Sequence, residues 1–76
     1  MNKERRKVLQ EIMDRLEELK DTLEVMKDEE EDYRDNMPEN LQGSERYERA
    51  DEVCSNLDDA VSNLEDTISC IEEAIA

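Results

Sequence analysis

Apolar residues return at alternating steps of three and four through most of this chain, and no other feature constrains its fold so tightly. Written in sevens from Asn2, the first segment reads NKERRKV, LQEIMDR, LEELKDT, LEVMKDE, EEDYRDN. Its first and fourth places hold Leu9, Ile12, Leu16, Leu19, Leu23 and Met26, then Glu30 and Tyr33. That spacing gathers side chains onto one stripe of an α-helix, the a and d seam of a coiled coil. The second segment repeats more regularly, as YERADEV, CSNLDDA, VSNLEDT, ISCIEEA and IA. Its seam is Tyr47, Ala50, Cys54, Leu57, Val61, Leu64, Ile68, Ile71 and Ile75, with acids at e and f and small residues at g, the signature of a solvated helix with an internal seven-residue repeat.

Between the repeats lies NMPENLQGSERYE, of which residues 37–46 belong to neither. Pro38 disfavours helical geometry at Met37, Gly43 supplies a flexible stop, and Ser44 is a good N-cap. The expected fold is all-α: one domain over residues 1–76, an antiparallel two-helix coiled-coil hairpin with helix 1 at about 2–36, a turn at 37–43 and helix 2 at about 44–75, forming a rod roughly 50 Å long. Pairing seam against seam sets Leu23 with Leu57, Leu16 with Leu64 and Leu9 with Ile71. The e flanks then place Lys27 near Asp51, Lys20 near Asp58 and Arg6 near Glu72, opposite charges in each case, with Met13 beside Glu65 as the exception. On the other flank, the g positions of helix 2 are Val53, Ala60, Thr67 and Ala74, small residues that let another helix approach. A lone hairpin leaves its core half open to water, so a homodimer is expected, as an antiparallel four-helix bundle joined along that edge. A monomer with a solvated g edge is the alternative.

A two-helix core must be used efficiently, because 45% of the residues are charged, Phe and Trp are absent, and the composition approaches that of disordered chains. The ordered spacing of the apolar residues argues against disorder. With 24 acidic and 10 basic residues the formal charge is −14, which repels nucleic acid and anionic membranes and makes a basic protein surface the natural partner. Neither a signal-peptide core nor a membrane span is legible, and a cytoplasmic setting is expected. Cys54 and Cys70 lie on one helix roughly 24 Å apart and cannot bridge each other. Reduced thiols, with Cys54 in the core, or an intermolecular disulfide through Cys70 are the two options.

Catalytic chemistry finds little to work with. The chain has no His, which removes the commonest general base, the usual catalytic triads and the Glu-x-x-His pattern of di-iron bundles. The run Asp28 to Asp32, DEEED, lacks the alternation and the Gly of a calcium loop. No enzyme activity, metal or cofactor is therefore expected. Glu30 stands at a seam position near Arg34, Arg46 and Arg49, either as a buried switch or as a paired or water-exposed group near the turn that helps fix the register. The basic cluster Lys3, Arg5, Arg6 and Lys7 reads either as a nucleic-acid hook or, more simply, as internal neutralisation of Glu72 and Glu73.

Two surfaces remain as candidates for function. The first is the set of acidic faces at the f positions: Asp14, Asp21, Asp28 and Asp35 on helix 1, and Glu52, Asp59, Asp66 and Glu73 on helix 2, which have no evident internal partner. No basic residue follows Arg49. A rod lined with carboxylates presents to a basic groove a field like that of a nucleic-acid backbone; the same acids serve equally to keep a coiled coil soluble. The second is the turn, Met37, Pro38, Leu41 and Gly43, either a docking tip or a cap folding Met37 and Leu41 over Tyr33 and Tyr47.

The stretch NMPENLQGSERYE followed by LDDAVSNLEDTISCIEEAI resembles small, acidic helical-hairpin proteins, uncharacterised in function, encoded by phages and prophages of Gram-positive gut bacteria, over nearly the whole chain. The resemblance implies a setting rather than residue roles. Small acidic phage proteins often occupy a host protein's nucleic-acid-binding surface, as some inhibitors of CRISPR nucleases do. The function expected is a non-enzymatic inhibitor or nucleic-acid mimic that binds a basic surface of a host defence protein, without direct nucleic-acid or membrane binding. A structural adaptor docking through its turn is the alternative.

Overall fold

The computed structural model describes residues 1–76 and contains two long α-helices joined by a short 3-10 turn, with no strand. Helix α1 spans Lys3–Asp35 and α2 spans Glu45–Ile75, with the 3-10 segment at Glu39–Leu41 between them. Each long helix begins on a side-chain cap that satisfies an otherwise orphaned amide. The Arg5 N–H donates to Asn2 Oδ1 at 2.8 Å, and the Tyr47 N–H donates to Ser44 Oγ at 3.3 Å. Helix α1 ends where Pro38 forbids its continuation: the Asn36 N–H still donates to the Asp32 carbonyl at 3.0 Å and the Met37 N–H to that of Arg34 at 3.3 Å. The chain then turns through amides of Leu41 and Ser44, which donate to the Pro38 and Leu41 carbonyls at 2.9 and 3.0 Å. Gly43 does not adopt a positive φ, and a Cβ placed there would meet nothing within 4 Å, so the turn does not depend on glycine's conformational freedom.

The helices pack against each other as an antiparallel hairpin measuring 59 × 15 × 13 Å. Its core is thin. Only Met37, Ala50, Cys54, Val61 and Ile68 are buried, four of them on α2 and none on α1. On α2 the a positions Cys54, Val61 and Ile68 face inward, as their spacing requires.

Helix α1 departs from the expected seam. Its half-covered residues include Leu9, Met13, Leu16, Lys20, Leu23, Lys27, Glu30 and Arg34, the a and e positions, while the d residues Ile12, Leu19, Met26 and Tyr33 are 41% to 61% exposed. The helix is therefore rotated by about 50°, half of one residue's step, from the a and d orientation. Charge and carbon on the e flank account for the rotation. Lys27 and Arg34 lie with side chains only 20% and 22% exposed and reach across to Asp58 and Asp51, so their aliphatic stems supply covering that a d residue would otherwise give.

The ion pairs also correct the expected flank pairing. Lys27 Nζ meets Asp58 at 3.2 Å rather than Asp51, and Arg34 Nη1 takes Asp51 at 2.9 Å. Neither Lys20 nor Arg6 makes an ion pair. Opposite charges still meet along the e flank, but Asp51 and Asp58 are each matched one heptad away from the cation first assigned to them, and Glu72 makes no ion pair.

Candidate functional site

All eight f-position acids are exposed, as expected of residues opposite a helix–helix contact. Three of them have local partners, which corrects the expectation of none. Gln10 Nε2 donates to Asp14 at 3.0 Å, Arg34 Nε to Asp35 at 2.9 Å, and Arg49 Nη1 meets Glu52 at 3.2 Å. Asp21, Asp28, Asp59, Asp66 and Glu73 make no ion pair and leave their charge directed at solvent along both helices. Basic side chains do little to offset this beyond the turn-proximal half. Lys3, Arg5, Arg6 and Lys7 are exposed and form no ion pair, so close neutralisation of Glu72 and Glu73 does not occur.

Lys27, Arg34 and Arg49 are committed internally, whereas Arg46 is exposed and makes no ion pair. The Arg34 guanidinium is held more firmly protonated than usual by its hydrogen bond to Asp35 and, with a smaller share, by Asp51. The Lys27 ammonium is likewise pushed above its ordinary value by its hydrogen bond to Asp58. Below these bridges sits Cys54, buried, its thiol pushed up by burial and by the negative field of Glu31, Glu30 and Asp51, against the opposing influence of Arg34. A thiol in this setting stays protonated and is a poor nucleophile. Cys70 is exposed, and both cysteines are free thiols. Glu30 is half-covered and makes no ion pair, with Arg34 engaged by Asp35 and Asp51, and Arg49 by Glu52. No three Cys, Asp or Glu side chains converge into a metal-holding group. No helix is long and apolar enough to cross a membrane.

The turn presents less apolar surface than its sequence offers. Met37 is only 7% exposed and Leu41 is half-buried, whereas Pro38 and Gly43 are exposed. Tyr33 remains 49% exposed and Tyr47 is half-buried, so Met37 is buried without covering the Tyr33 ring. On the g edge of α2, Val53 and Ala60 are half-buried and Thr67 and Ala74 exposed.

Sequence reasoning missed one surface, the exposed apolar stripe of α1 formed by Ile12, Leu19, Met26 and Tyr33. A signal for it was present. Helix α1 carries aliphatic carbon along three lines, a, d and e, through Met13 and the stems of Lys20, Lys27 and Arg34, and a face that wide exceeds what one neighbouring helix covers.

Comparison with known proteins returns no match, whether to a family model, to a curated protein or to a solved structure.

Proposed function

We propose that this chain is a non-enzymatic, acidic protein-binding module that works as a homodimeric four-helix bundle and occupies a basic, nucleic-acid-binding surface of another protein, as an inhibitor or nucleic-acid mimic. The setting that suits it is a phage or prophage product acting in the cytoplasm of a Gram-positive host, on a defence or nucleic-acid-handling protein.

One observation carries the reading: Asp21, Asp28, Asp59, Asp66 and Glu73 stand exposed and free of ion pairs along a 59 Å rod whose α2 has no cation after Arg49. Carboxylates spaced about 10.5 Å apart on a stiff helix create a field that attracts a basic groove over its length and steers encounter at low salt. The match to a phosphate backbone is one of field, since that spacing is much wider than the spacing of phosphates. Burial of Met37 leaves the turn with little apolar surface for a docking tip, and this favours the faces over the turn.

The test is capture of partners from a Gram-positive bacterial lysate on the immobilised chain at low and high salt, followed by binding of the captured protein to purified variants. Affinity should fall at least about tenfold between roughly 0.05 and 0.5 M salt. Reversing Asp59, Asp66 and Glu73 to Lys should abolish binding while far-UV circular dichroism stays helical, and replacing Leu41 by Ala should leave binding intact. Binding that ignores salt and survives the reversals rules the proposal out.

A further inference from the structure

We infer that the exposed stripe of α1 is a self-complementary interface on which a second copy of this chain lies antiparallel, α1 against α1, about a two-fold axis near Thr22. This rests on the dimeric reading above and adds to it the face and the orientation, which differ from joining through the small g edge of α2 alone.

The stripe consists of Ile12, Leu19, Met26 and Tyr33, with Leu19 the most exposed at 61%. Its outer flank is the g line of α1: Val8, Arg15, Thr22 and Glu29. An antiparallel copy centred near Thr22 sets Leu19 against the partner's Met26 and Ile12 against the partner's Tyr33. The same operation brings Arg15 to the partner's Glu29, and Glu29 to the partner's Arg15. Each residue then meets a complement that meets it in return, as a two-fold interface demands. Arg15 and Glu29 are the only charged residues of that flank, they have opposite sign, they are equidistant from Thr22, and neither makes an ion pair within the hairpin. The Thr22 hydroxyl donates to the Glu18 carbonyl at 3.2 Å, so it brings no unpaired donor to the axis.

Helix α2 meets the same symmetry independently. The Lys27–Asp58 and Arg34–Asp51 bridges match α1 to residues of α2 several positions beyond the seam pairing first expected, Leu23 with Leu57 and Leu16 with Leu64. Extended along the rod, that register sets Thr22 beside the level of Asn63 and Leu64. The half-buried d residues of α2 are Leu57, Leu64 and Ile71, centred on Leu64. One axis therefore serves both helices, placing Leu64 on its own counterpart and Leu57 opposite the partner's Ile71. The g line of α2, Val53, Ala60, Thr67 and Ala74, brings no charge to the contact. For a chain of charge −14, association with itself is least opposed where the facing d and g lines hold no unmatched charge, with the acids of the next line, Glu11, Glu18 and Asp32, at the solvent margin. A basic partner is drawn instead to the f faces, which this dimer leaves open.

Sedimentation equilibrium of the full chain and its charge variants tests the pairing. The native chain should sediment as a dimer of the 9.0 kDa protomer. Arg15→Glu or Glu29→Arg, each acting at two symmetric contacts, should raise the dimer dissociation constant roughly tenfold. The double exchange should return it to within about threefold of native. Orientation is read separately from a spin label on Gln42→Cys in a Cys70→Ser background. The two turns should lie roughly 60 Å apart, against under about 25 Å if α1 packs on the partner's α2 with both turns at one end. A short turn-to-turn distance, or single reversals that the double exchange does not rescue, overturns the α1–α1 pairing while leaving the dimer standing. A native chain that stays monomeric at about 100 μM overturns both. Helical circular dichroism of each variant separates these outcomes from unfolding.

Discussion

Two adjacent turn residues should respond to the same substitution with opposite sign. Gly43 does not need a positive φ, and a methyl group there meets no atom within 4 Å, so Gly43→Ala adds no strain to the folded chain. What it changes is the unfolded ensemble, which loses conformational freedom, and the expected gain is about 0.4–1 kcal/mol. For a domain of this size each kcal/mol moves the midpoint by about 4–8 °C, so Tm should rise by about 2–8 °C. Ser44 is the contrasting case. Its Oγ accepts the Tyr47 amide at 3.3 Å and also donates to the Leu41 carbonyl, so Ser44→Ala removes the N-cap of α2 and a turn-closing bond together. A cost of about 1–2 kcal/mol is expected, a fall of about 4–16 °C. Thermal unfolding followed at 222 nm, at matched protein concentration because self-association of any folded chain raises its apparent stability, reads both. Loss of more than about 0.5 kcal/mol in Gly43→Ala would falsify the reading of the turn, since it would mean that the position needs glycine after all.

Three further outcomes follow from the core and the charge layout. Ile68→Ala deletes one of the few buried side chains, 8% exposed, and should cost about 2–4 kcal/mol in urea unfolding, a large share of the roughly 4–11 kcal/mol available to a chain of this length. Because burial raises the Cys54 thiol above its ordinary 9.0, the folded chain holds that proton longer than the unfolded one; its contribution is full below about pH 9 and is lost as pH climbs through the raised value, and a Cys54→Ala variant should show a shallower alkaline decline. Added salt should raise Tm between about 0.02 and 0.3 M, since screening relieves repulsion among 24 acids more than it weakens two interhelical bridges; a falling Tm would show that the bridges dominate.

The hairpin was legible because its signals are local and agree. Seven-residue periodicity, Pro38 after α1 and Ser44 before α2 each name an element or a boundary on their own, and the helices run between those marks. Rotation of α1 was not legible. Hydrophobic spacing counts Leu19 as a core residue and Lys27 as a surface one, yet the methylene stem of Lys27 covers the contact and its ammonium bridges Asp58, whereas Leu19 is left outside. Periodicity measures how many apolar lines a helix carries, not which of them meets the nearest neighbour. Among the acidic residues, exposure followed directly from the f positions, whereas the Arg49–Glu52 pair lies within one helix, where residues three apart are neighbours, and the match of facing flanks does not reveal it.

Both bridges that tie α1 to α2 lie in the half of the rod nearest the turn; from Lys20 back to Lys3 no cation clasps the opposing helix. The hairpin is in effect a pair of tweezers, riveted at the bend and held at the tips by grease alone. Amide protons near Val8 and Ile71 should exchange with deuterium sooner than those near Lys27 and Cys54, and breathing should spread from the tips toward the bend.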